Sequence, residues 1–333
     1  SHAMAGATVI VNCSASDETT GKDQYRHDLI CGQSARLVCG YIYSNAGEGE
    51  STTDMVFAGH NIIAENGTLL AQRRFAAGLT VSEIDVEKLA YERRRMNTFP
   101  TLGQSGPIWT SDFSLESATT TLTRPISANP FVPADEAHRA ERCEEILKIA
   151  ALGLKKRLEH TGARTAVIGL SGGLDSTLAL LIAALAMGML HRDPGDIIAV
   201  TMPCFGTTDR TKNNAVLLAE HMGTTLRTIP IGDTVRSHFR DIGHSPEDQD
   251  VTYENAQARE RTQVLMDIAN QTGGLVIGTG DLSELALGWA TYSGDHMSMY
   301  GVNASIPKTL VRHLVDYVAR DNRKKDPELA QVL

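Results

Sequence analysis

Short apolar runs alternate with longer segments of helical periodicity over the second half of the chain. The runs at 166–170, 197–202, 225–229 and 275–279 have the length and apolar content of buried parallel strands. Gly223 and Gly273 stand where two of the intervening helices are expected to end. This alternation predicts a doubly wound parallel α/β sheet, whose ligands bind beyond the carboxyl ends of the strands.

The first part of the chain mixes strand and helix patterns less regularly. We predict a core strand at 5–12, further strands at 39–44 and 79–86, and helices at 24–38 and 87–95. Over 62–70, two apolar runs flank Asn66-Gly67, the pair preferred in the type I′ turn of a hairpin. These elements predict a separate α/β or α+β domain. Because it starts on a core strand, we expect further chain upstream.

A proline-rich stretch separates the two patterns. Prolines at 100, 107, 125, 130 and 133 fall among many serines and threonines, which is typical of an extended linker. Asp135 then precedes a long helical pattern and is predicted to be its N-cap. We therefore predict a first domain at 1–97, a linker at 98–135 and a second domain at 136–333, whose carboxyl end is expected to be incomplete.

Composition narrows the class of protein. The formal net charge of -9 over 333 residues argues against a binder of nucleic acid or of anionic membranes, which would carry a basic surface. The five cysteines form no CxxC pair, so neither a zinc site nor a disulfide framework is expected. The longest apolar run, 178–190, is too short to cross a bilayer. We expect a cytoplasmic protein.

The candidate chemistry begins at the sequence SGGLDST, residues 171–177. Gly172 and Gly173 let the backbone approach a ligand closely, and the following helix N-terminus points unpaired N–H groups at it. Asp175 places a carboxylate where a phosphate-bound Mg2+ could sit. The turn lacks the lysine of a Walker loop and the spacing of a dinucleotide fingerprint. The alternative is an ordinary glycine turn between a strand and a helix.

The SGGLDS sequence resembles the pyrophosphate loop of ATP pyrophosphatases, enzymes that split ATP into AMP and pyrophosphate while they adenylate a substrate. Several other sequences then resemble NAD synthetases, in the order found in that family: VTYENAQARER at 251–261, GTGDLSE at 278–284, LGWATY at 287–292, GDHM at 294–297 and SIPKT at 305–309. The resemblance implies a synthetase domain with the adenine nucleotide alpha hydrolase-like fold.

The resemblance also implies roles for individual residues. It places ATP at Gly169, Leu170, Ser171, Gly172, Gly173, Leu174, Asp175, Ser176, Met202 and Thr279, and deamido-NAD at Asn255, Glu284, Trp289, Ala290, Thr291 and Tyr292. Asp175 and Glu284 would hold Mg2+, Lys308 would neutralise the departing pyrophosphate, and Asp295 would lie near the amidation centre. Asp175, Lys308 and Asp295 are thus the candidate catalytic residues.

Each assignment has a structural alternative. Trp289 and Tyr292 could be core aromatics, and Glu284 and Lys308 could form a surface ion pair. Asp281 is interpreted as a helix N-cap rather than a ligand.

The first domain resembles the later half of a nitrilase-type α-β-β-α domain, as found in the glutaminase part of glutamine-dependent NAD synthetases. The sequences that carry this resemblance are VNCSAS at 11–16, NAGEGESTTD at 45–54, HNIIAENG at 60–67 and RRRM at 93–96. In that family the Cys, Glu and Lys of the active site precede the point at which this chain begins. Ser16 and Lys22 fall where the family contacts glutamine, although the family often has arginine at the second place, and a solvated loop is the alternative. Cys13 is interpreted as a core or near-core cysteine.

The resemblances of the two domains together imply a ligase that forms a C–N bond. ATP with Mg2+ would adenylate the carboxylate of deamido-NAD, and nitrogen from ammonia or glutamine would displace AMP to give NAD. A homo-oligomer is expected. The alternatives are another pyrophosphate-loop enzyme, such as GMP synthetase or a tRNA-modifying enzyme, and a non-catalytic ATP-binding module. The acidic balance and the absence of CxxC disfavour the tRNA enzymes.

Overall fold

The computed structural model describes residues 2–51, 53–100, 108–133, 135–205 and 209–333. The chain divides into two compact units, Ser1–Ser127 and Ala128–Leu333. Residues 101–107 and 134 of the predicted linker lie outside the described residues; its described part contains no helix or strand. No described helix combines the length and the apolar character needed to cross a membrane.

The first unit contains a four-stranded sheet and two helices among its described residues. In chain order these are β1 (Val9–Ser14), α1 (Lys22–Leu37), β2 (Gly40–Asn45), β3 (Asn61–Glu65), β4 (Thr68–Arg73) and α2 (Val86–Arg95). The strands lie in the order β1-β2-β3-β4; β1 and β2 are parallel and the other neighbours antiparallel. Ile30 of α1 packs on Tyr43 and Ile62 to form the small core.

The predicted hairpin is confirmed at its turn. Asn66 and Gly67, between β3 and β4, both have positive φ, 45° and 87°. Two consecutive residues with positive φ define the type I′ turn, whose twist matches that of the flanking strands.

Three expectations for this unit are wrong. No strand forms over 79–86, where Leu79 and Val81 are exposed and α2 begins at Val86 behind its N-cap Asp85. The first strand is not a core strand, because it lies at the sheet edge and none of its residues is fully buried. Cys13 is exposed, since it shares the exposed face of β1 with Val11 under the two-residue period of a strand.

The second unit contains the predicted parallel sheet. Its elements are α3 (Glu136–Thr161), β5 (Ala166–Gly169), α4 (Leu174–Met189), a short 3₁₀ helix (Pro194–Asp196), β6 (Ile197–Thr201), α5 (Asp209–His221), β7 (Thr225–Thr228), α6 (Gly232–Ile242), α7 (Val251–Thr272), β8 (Leu275–Gly278), α8 (Leu282–Leu287), β9 (Tyr300–Gly301), α9 (Lys308–Asn322) and α10 (Pro327–Val332). The strand order is β7-β6-β5-β8-β9, and all pairs are parallel.

Alternate residues of the strands pack into two different cores. Ala166 and Ile168 belong to the core that β5 shares with α3, α4 and α9, whereas Val167 belongs to the core shared with α6 and α7. Strands buried on both faces read as continuous apolar runs, which is why the sequence predicted them well. The doubly wound α/β fold is therefore confirmed.

The predicted caps of this unit are also present. The side chain of Asp135 accepts a hydrogen bond from the backbone N–H of His138 at the start of α3. Gly273 ends α7 with a φ of 64°, the left-handed conformation that glycine adopts without strain. Gly223, also with positive φ, follows α5.

Candidate active site

The glycine turn joins β5 to α4 at the carboxyl edge of the sheet. Gly172 has a φ of 79°, a conformation that favours glycine, and Gly173 is the N-cap residue of α4. No side chain among the described residues caps this helix, so its first-turn N–H groups point out of the sheet edge without an intrahelical partner. The turn therefore presents backbone donors and the positive end of a helix dipole to an anion.

Hydroxyl groups hold the turn in this shape. Ser176 Oγ donates to the carbonyl of Gly173 at 3.0 Å and lies 3.1 Å from Ser171 Oγ. Thr177 Oγ1 donates to the same carbonyl at 3.0 Å, and Ser171 Oγ accepts the N–H of Gly173 at 3.2 Å. Ser171 and Ser176 thus fix the loop conformation.

A cavity of about 490 Å³ opens beside the turn, at the carboxyl ends of β5, β6 and β8. The predicted ATP residues Gly169, Leu170, Ser171, Met202 and Thr279 line it, together with Asp295. Pro203 and Phe205 also line the cavity; residues 206–208 of their loop lie outside the described residues.

Helix α7 supplies further cavity-lining residues that the sequence did not identify as site residues. Arg261, Thr262 and Leu265 lie along one side of the cavity. Arg261 is part of the VTYENAQARER sequence, which resembles the family. That resemblance was the signal that could have identified Arg261 as a site residue.

Four charged groups meet at the edge of this site. Lys308 Nζ lies 2.9 Å from both carboxylate oxygens of Asp175, 3.0 Å from Glu284 Oε1 and 2.8 Å from Asp281 Oδ2. Asp175 comes from the first turn of α4, Asp281 and Glu284 from α8, and Lys308 from the first residue of α9. Three carboxylates and one ammonium leave a net charge of −2 when all are ionised.

Local capping places two of these carboxylates. Asp281 Oδ1 accepts the N–H of Glu284 at 3.0 Å, and Glu284 Oε2 accepts the N–H of Asp281 at 3.1 Å. This reciprocal pair is a capping box, and the predicted N-cap at Asp281 is confirmed. It leaves Asp281 Oδ2 and Glu284 Oε1 turned toward Lys308.

The cluster changes the pKa values of two of its members. Burial alone would lower the pKa of Lys308, but its contacts with Asp281, Asp175 and Glu284 outweigh burial and raise it above the ordinary value. Burial would raise the pKa of the Asp281 carboxyl, but the Lys308 ammonium and the N–H of Glu284 lower it. Both groups are therefore charged at neutral pH.

The same carboxylates have the arrangement of a divalent cation site. One oxygen from each of Asp175, Asp281 and Glu284 lies within 4.8 Å of the others. Asp281 is fully buried, and its Oδ2 lies 2.8 Å from the Lys308 ammonium. Oxygen ligands of this kind suit Mg2+. The arrangement brings together Asp175 and Glu284, the predicted ligands, and adds Asp281, which was interpreted only as a cap.

Asn303 joins the two loops of the site and was missed by sequence reasoning. Its Nδ2 donates to the backbone carbonyl of Asp175 at 2.9 Å and to that of Thr279 at 3.0 Å. Its side chain is fully buried, and Oδ1 has no partner among the described residues. Asn303 follows the two-residue strand β9, which is too short to leave a pattern in the sequence.

The segment after α8 carries four of the six predicted deamido-NAD residues, Trp289 to Tyr292, while Asn255 lies in α7 and Glu284 in α8. Thr291 Oγ1 donates to Asn255 Oδ1 at 2.9 Å, and Asp295 Oδ1 accepts the N–H of Thr291 at 2.7 Å. Trp289 and Tyr292 are 78% and 80% exposed, and Ala290 is exposed as well. The alternative that these aromatics belong to the core is therefore wrong.

Ser16 and Lys22, the predicted glutamine contacts, lie in the first unit. Ser16 Oγ accepts hydrogen bonds from the buried guanidinium of Arg26 at 3.3 and 3.4 Å, and Ser16 lines a cavity of about 390 Å³. Lys22 begins α1 and pairs with Asp17 at 2.6 Å. Both side chains have local partners, and a role toward glutamine stays a prediction.

The chain is similar to known proteins over nearly its whole length. It is 46% identical over 331 residues to the glutamine-dependent NAD(+) synthetase of Mycobacterium tuberculosis (strain H37Rv), a match that covers 95% of this chain and 49% of that protein. The enzyme of the same name from Thermotoga maritima is 30% identical, with 91% and 51% coverage. The chain spans about half the length of the curated relatives it matches.

A solved structure and a family model agree with these relatives. The glutamine-dependent NAD+ synthetase of Acinetobacter baumannii, solved in complex with ADP, matches with a TM-score of 0.53 and 25% identity over 99% of this chain and 54% of that one. The family model described as NAD synthase matches residues 146–328, which include the glycine turn, the carboxylates and Lys308. The chain belongs to the NAD synthase family.

Proposed function

We propose that this chain amidates deamido-NAD to NAD with consumption of ATP and release of AMP and pyrophosphate. The observation that carries the proposal is the meeting of Asp175, Asp281, Glu284 and Lys308 beside the glycine turn, within the segment that matches the NAD synthase family. A phosphate-binding turn next to clustered carboxylates and a lysine suits the transfer of a nucleotidyl group.

ATP is proposed to bind with its phosphates on the glycine turn and its base in the neighbouring cavity. The N–H groups of Leu174, Asp175 and Ser176, in the first turn of α4, would donate to the phosphate oxygens. Met202 and Thr279, together with Gly169 and Leu170, line the cavity at the strand ends. The ADP complex of the A. baumannii relative supports nucleotide binding by this fold.

Asp175, Asp281 and Glu284 would hold a Mg2+ ion, which supplies positive charge to the triphosphate when it is bound. In the first step, a carboxylate oxygen of deamido-NAD attacks the α-phosphorus of ATP, and the bond to pyrophosphate breaks. Lys308 would balance the negative charge that builds on the departing pyrophosphate. The products of this step are the acyl-adenylate and pyrophosphate.

In the second step, ammonia attacks the carbonyl carbon of the acyl-adenylate. The bond from that carbon to the AMP oxygen breaks, and the amide loses a proton to give NAD. Asp295, which lines the cavity, is the side chain proposed to lie near the entering ammonia. Asn255 and Thr291 would position deamido-NAD, with the exposed rings of Trp289 and Tyr292 beside its pyridine ring.

The nitrogen donor, the assembly and the location are parts of the same proposal. The names of the relatives support glutamine as a donor, and ammonia is the donor that the second unit would use directly. Ser16 and Lys22 are the proposed contacts of glutamine, and Ser16 lines the cavity of the first unit. The exposed apolar side chains of Leu287 and Trp289 support a homo-oligomer, since exposed apolar surface is often covered by another protein chain.

The five cysteines are all free thiols, which supports a location in the reducing cytoplasm.

The test is pyrophosphate release from ATP and Mg2+ with different acceptors and nitrogen donors. We expect release with deamido-NAD plus ammonium, and a rate at least about 100-fold lower for Asp175→Asn, since one ligand and one counter-charge are lost. Asp321→Asn is the matched control, because it removes a carboxylate charge from an exposed ion pair with Lys325. Release stimulated by xanthosine monophosphate would instead favour a GMP synthetase, and ATP binding without turnover would favour a non-catalytic module.

A further inference from the structure

The Lys308 ammonium lies among the three carboxylates that could hold a divalent cation. Its nitrogen is 2.8–3.0 Å from oxygens of all three carboxylates, and the three side chains offer ligand oxygens within 4.8 Å of one another. Mg2+ binds oxygen at about 2.0–2.1 Å, so an ion bonded to these oxygens would lie within about 5 Å of that nitrogen. Two cations this close repel each other and compete for the same carboxylate oxygens.

The side chain can leave without disturbing the fold. The backbone of Lys308 is fixed, because its N–H donates to Ser283 Oγ at 3.1 Å at the start of α9. Its side chain is 48% exposed and has four methylene groups, so the ammonium can move outward by rotation of the stem alone. Asp281, in contrast, is fully buried and held by the capping box.

We propose that Lys308 is a tethered cation that fills the three-carboxylate site when no divalent ion is bound, and that a divalent ion displaces it. The displaced ammonium then faces solvent beside the glycine turn, where it can meet an anion. This inference deepens the proposed function, since it would couple occupation of the cation site to binding of the triphosphate. Its test uses a metal ion alone and is independent of any turnover.

The test is titration of the chain with Mn2+, free of nucleotide, by calorimetry. Lys308→Met keeps the length of the side chain and removes its charge, and we expect its dissociation constant for Mn2+ to fall at least about tenfold, because the competitor is gone. Lys325→Met removes the same charge from a solvent-exposed pair and should bind Mn2+ as the unaltered chain does. Asp281→Asn keeps an N-cap side chain but loses a ligand charge, and should bind more weakly.

A second measurement uses the unaltered chain and does not depend on the folding of a variant. Acetylation by a lysine-reactive reagent, followed by mass spectrometry, should modify Lys308 several-fold faster when Mg2+ is added, and Lys325 at an unchanged rate. Protection of Lys308 by Mg2+ would overturn the proposal, as would Mn2+ binding by Lys308→Met that is equal to or weaker than that of the unaltered chain. Absence of Mn2+ binding by both would overturn it as well. If the chain binds the ion as proposed but does not make NAD, only the proposed function fails.

Discussion

The two oxygens of the Asp281 carboxylate have different partners. Oδ1 caps α8 through the N–H of Glu284, whereas Oδ2 faces the Lys308 ammonium. The sequence predicted that Asp281 is an N-cap, because capping is a local feature; the structure adds that Glu284, three residues ahead, is its partner. It did not predict the second, because that contact depends on how α9 packs beside α8.

Replacement of Asp281 should separate these two roles. Asp281→Ala removes the cap and leaves the N–H of Glu284 without its partner, so we expect the free energy of unfolding to fall by about 1–2 kcal/mol. Asp281→Asn retains a capping oxygen and should cost less. Urea unfolding followed by circular dichroism measures both. Equal losses for the two variants would contradict the capping role.

Asn303 gives a second prediction at the level of one side chain. In Asn303→Ala the loops that carry Asp175 and Thr279 lose their shared donor, so we expect the unfolding free energy to fall by about 1–3 kcal/mol. Pyrophosphate release should fall with it, at least about tenfold, because a small misplacement of reacting groups is costly. The matched control is Asn322→Ala, whose side chain bonds only a carbonyl of its own helix. Unchanged turnover in Asn303→Ala would contradict the positioning role.

Among the secondary-structure elements, those with a strong local signal were predicted and those without one were not. The strands β5, β6 and β8 were found because strands buried on both faces are continuous apolar runs, whereas β7 lies at the sheet edge and has no fully buried residue. The pattern at 79–86 was as apolar as a strand, but this segment does not join the sheet of the first unit, and Leu79 and Val81 are exposed. Apolar content alone therefore did not decide whether a segment enters the sheet.

Glu65 connects three elements of the first unit. Its carboxylate lies at the end of β3 and accepts hydrogen bonds from the Arg124 guanidinium at 3.0 Å and from the N–H of Asp85, which precedes α2, at 2.7 Å. Burial raises the pKa of this carboxyl, but Arg124 and the N–H of Asp85 outweigh burial and lower it below its ordinary value. The charged form is therefore favoured in the folded unit.

A lowered pKa gives this contact a defined pH dependence. The stabilisation that this contact gives to the folded unit is fully present above the pKa of Glu65 in the unfolded chain, about 4.3. It is lost as the pH falls through the lower pKa of Glu65 in the folded unit. Glu65→Gln should therefore lower stability near neutral pH by about 2 kcal/mol and reduce the acid sensitivity of the first unit. Urea unfolding at a series of pH values measures this. An unaltered acid dependence in the variant would contradict the assignment.

At the scale of the whole molecule, the candidate site is assembled from segments that are distant in sequence. The turn after β5, the start of α8 and the start of α9 meet because parallel strands bring their following loops to one edge of the sheet. The sequence could predict this edge and, through the family resemblance, part of the cavity lining and the site residues Asp175, Glu284 and Lys308. It could not predict that one lysine contacts three carboxylates, because such distances are set only by packing.

The most direct test of the proposed function follows oxygen atoms through the reaction. Deamido-NAD labelled with ¹⁸O in its pyridine carboxylate would be incubated with ATP, Mg2+, ammonium and the chain, and the products examined by mass spectrometry. If the carboxylate attacks the α-phosphorus, each AMP formed carries one ¹⁸O and pyrophosphate carries none. NAD formation with unlabelled AMP, or with label in pyrophosphate or phosphate, would contradict an acyl-adenylate and with it the proposed role of this site.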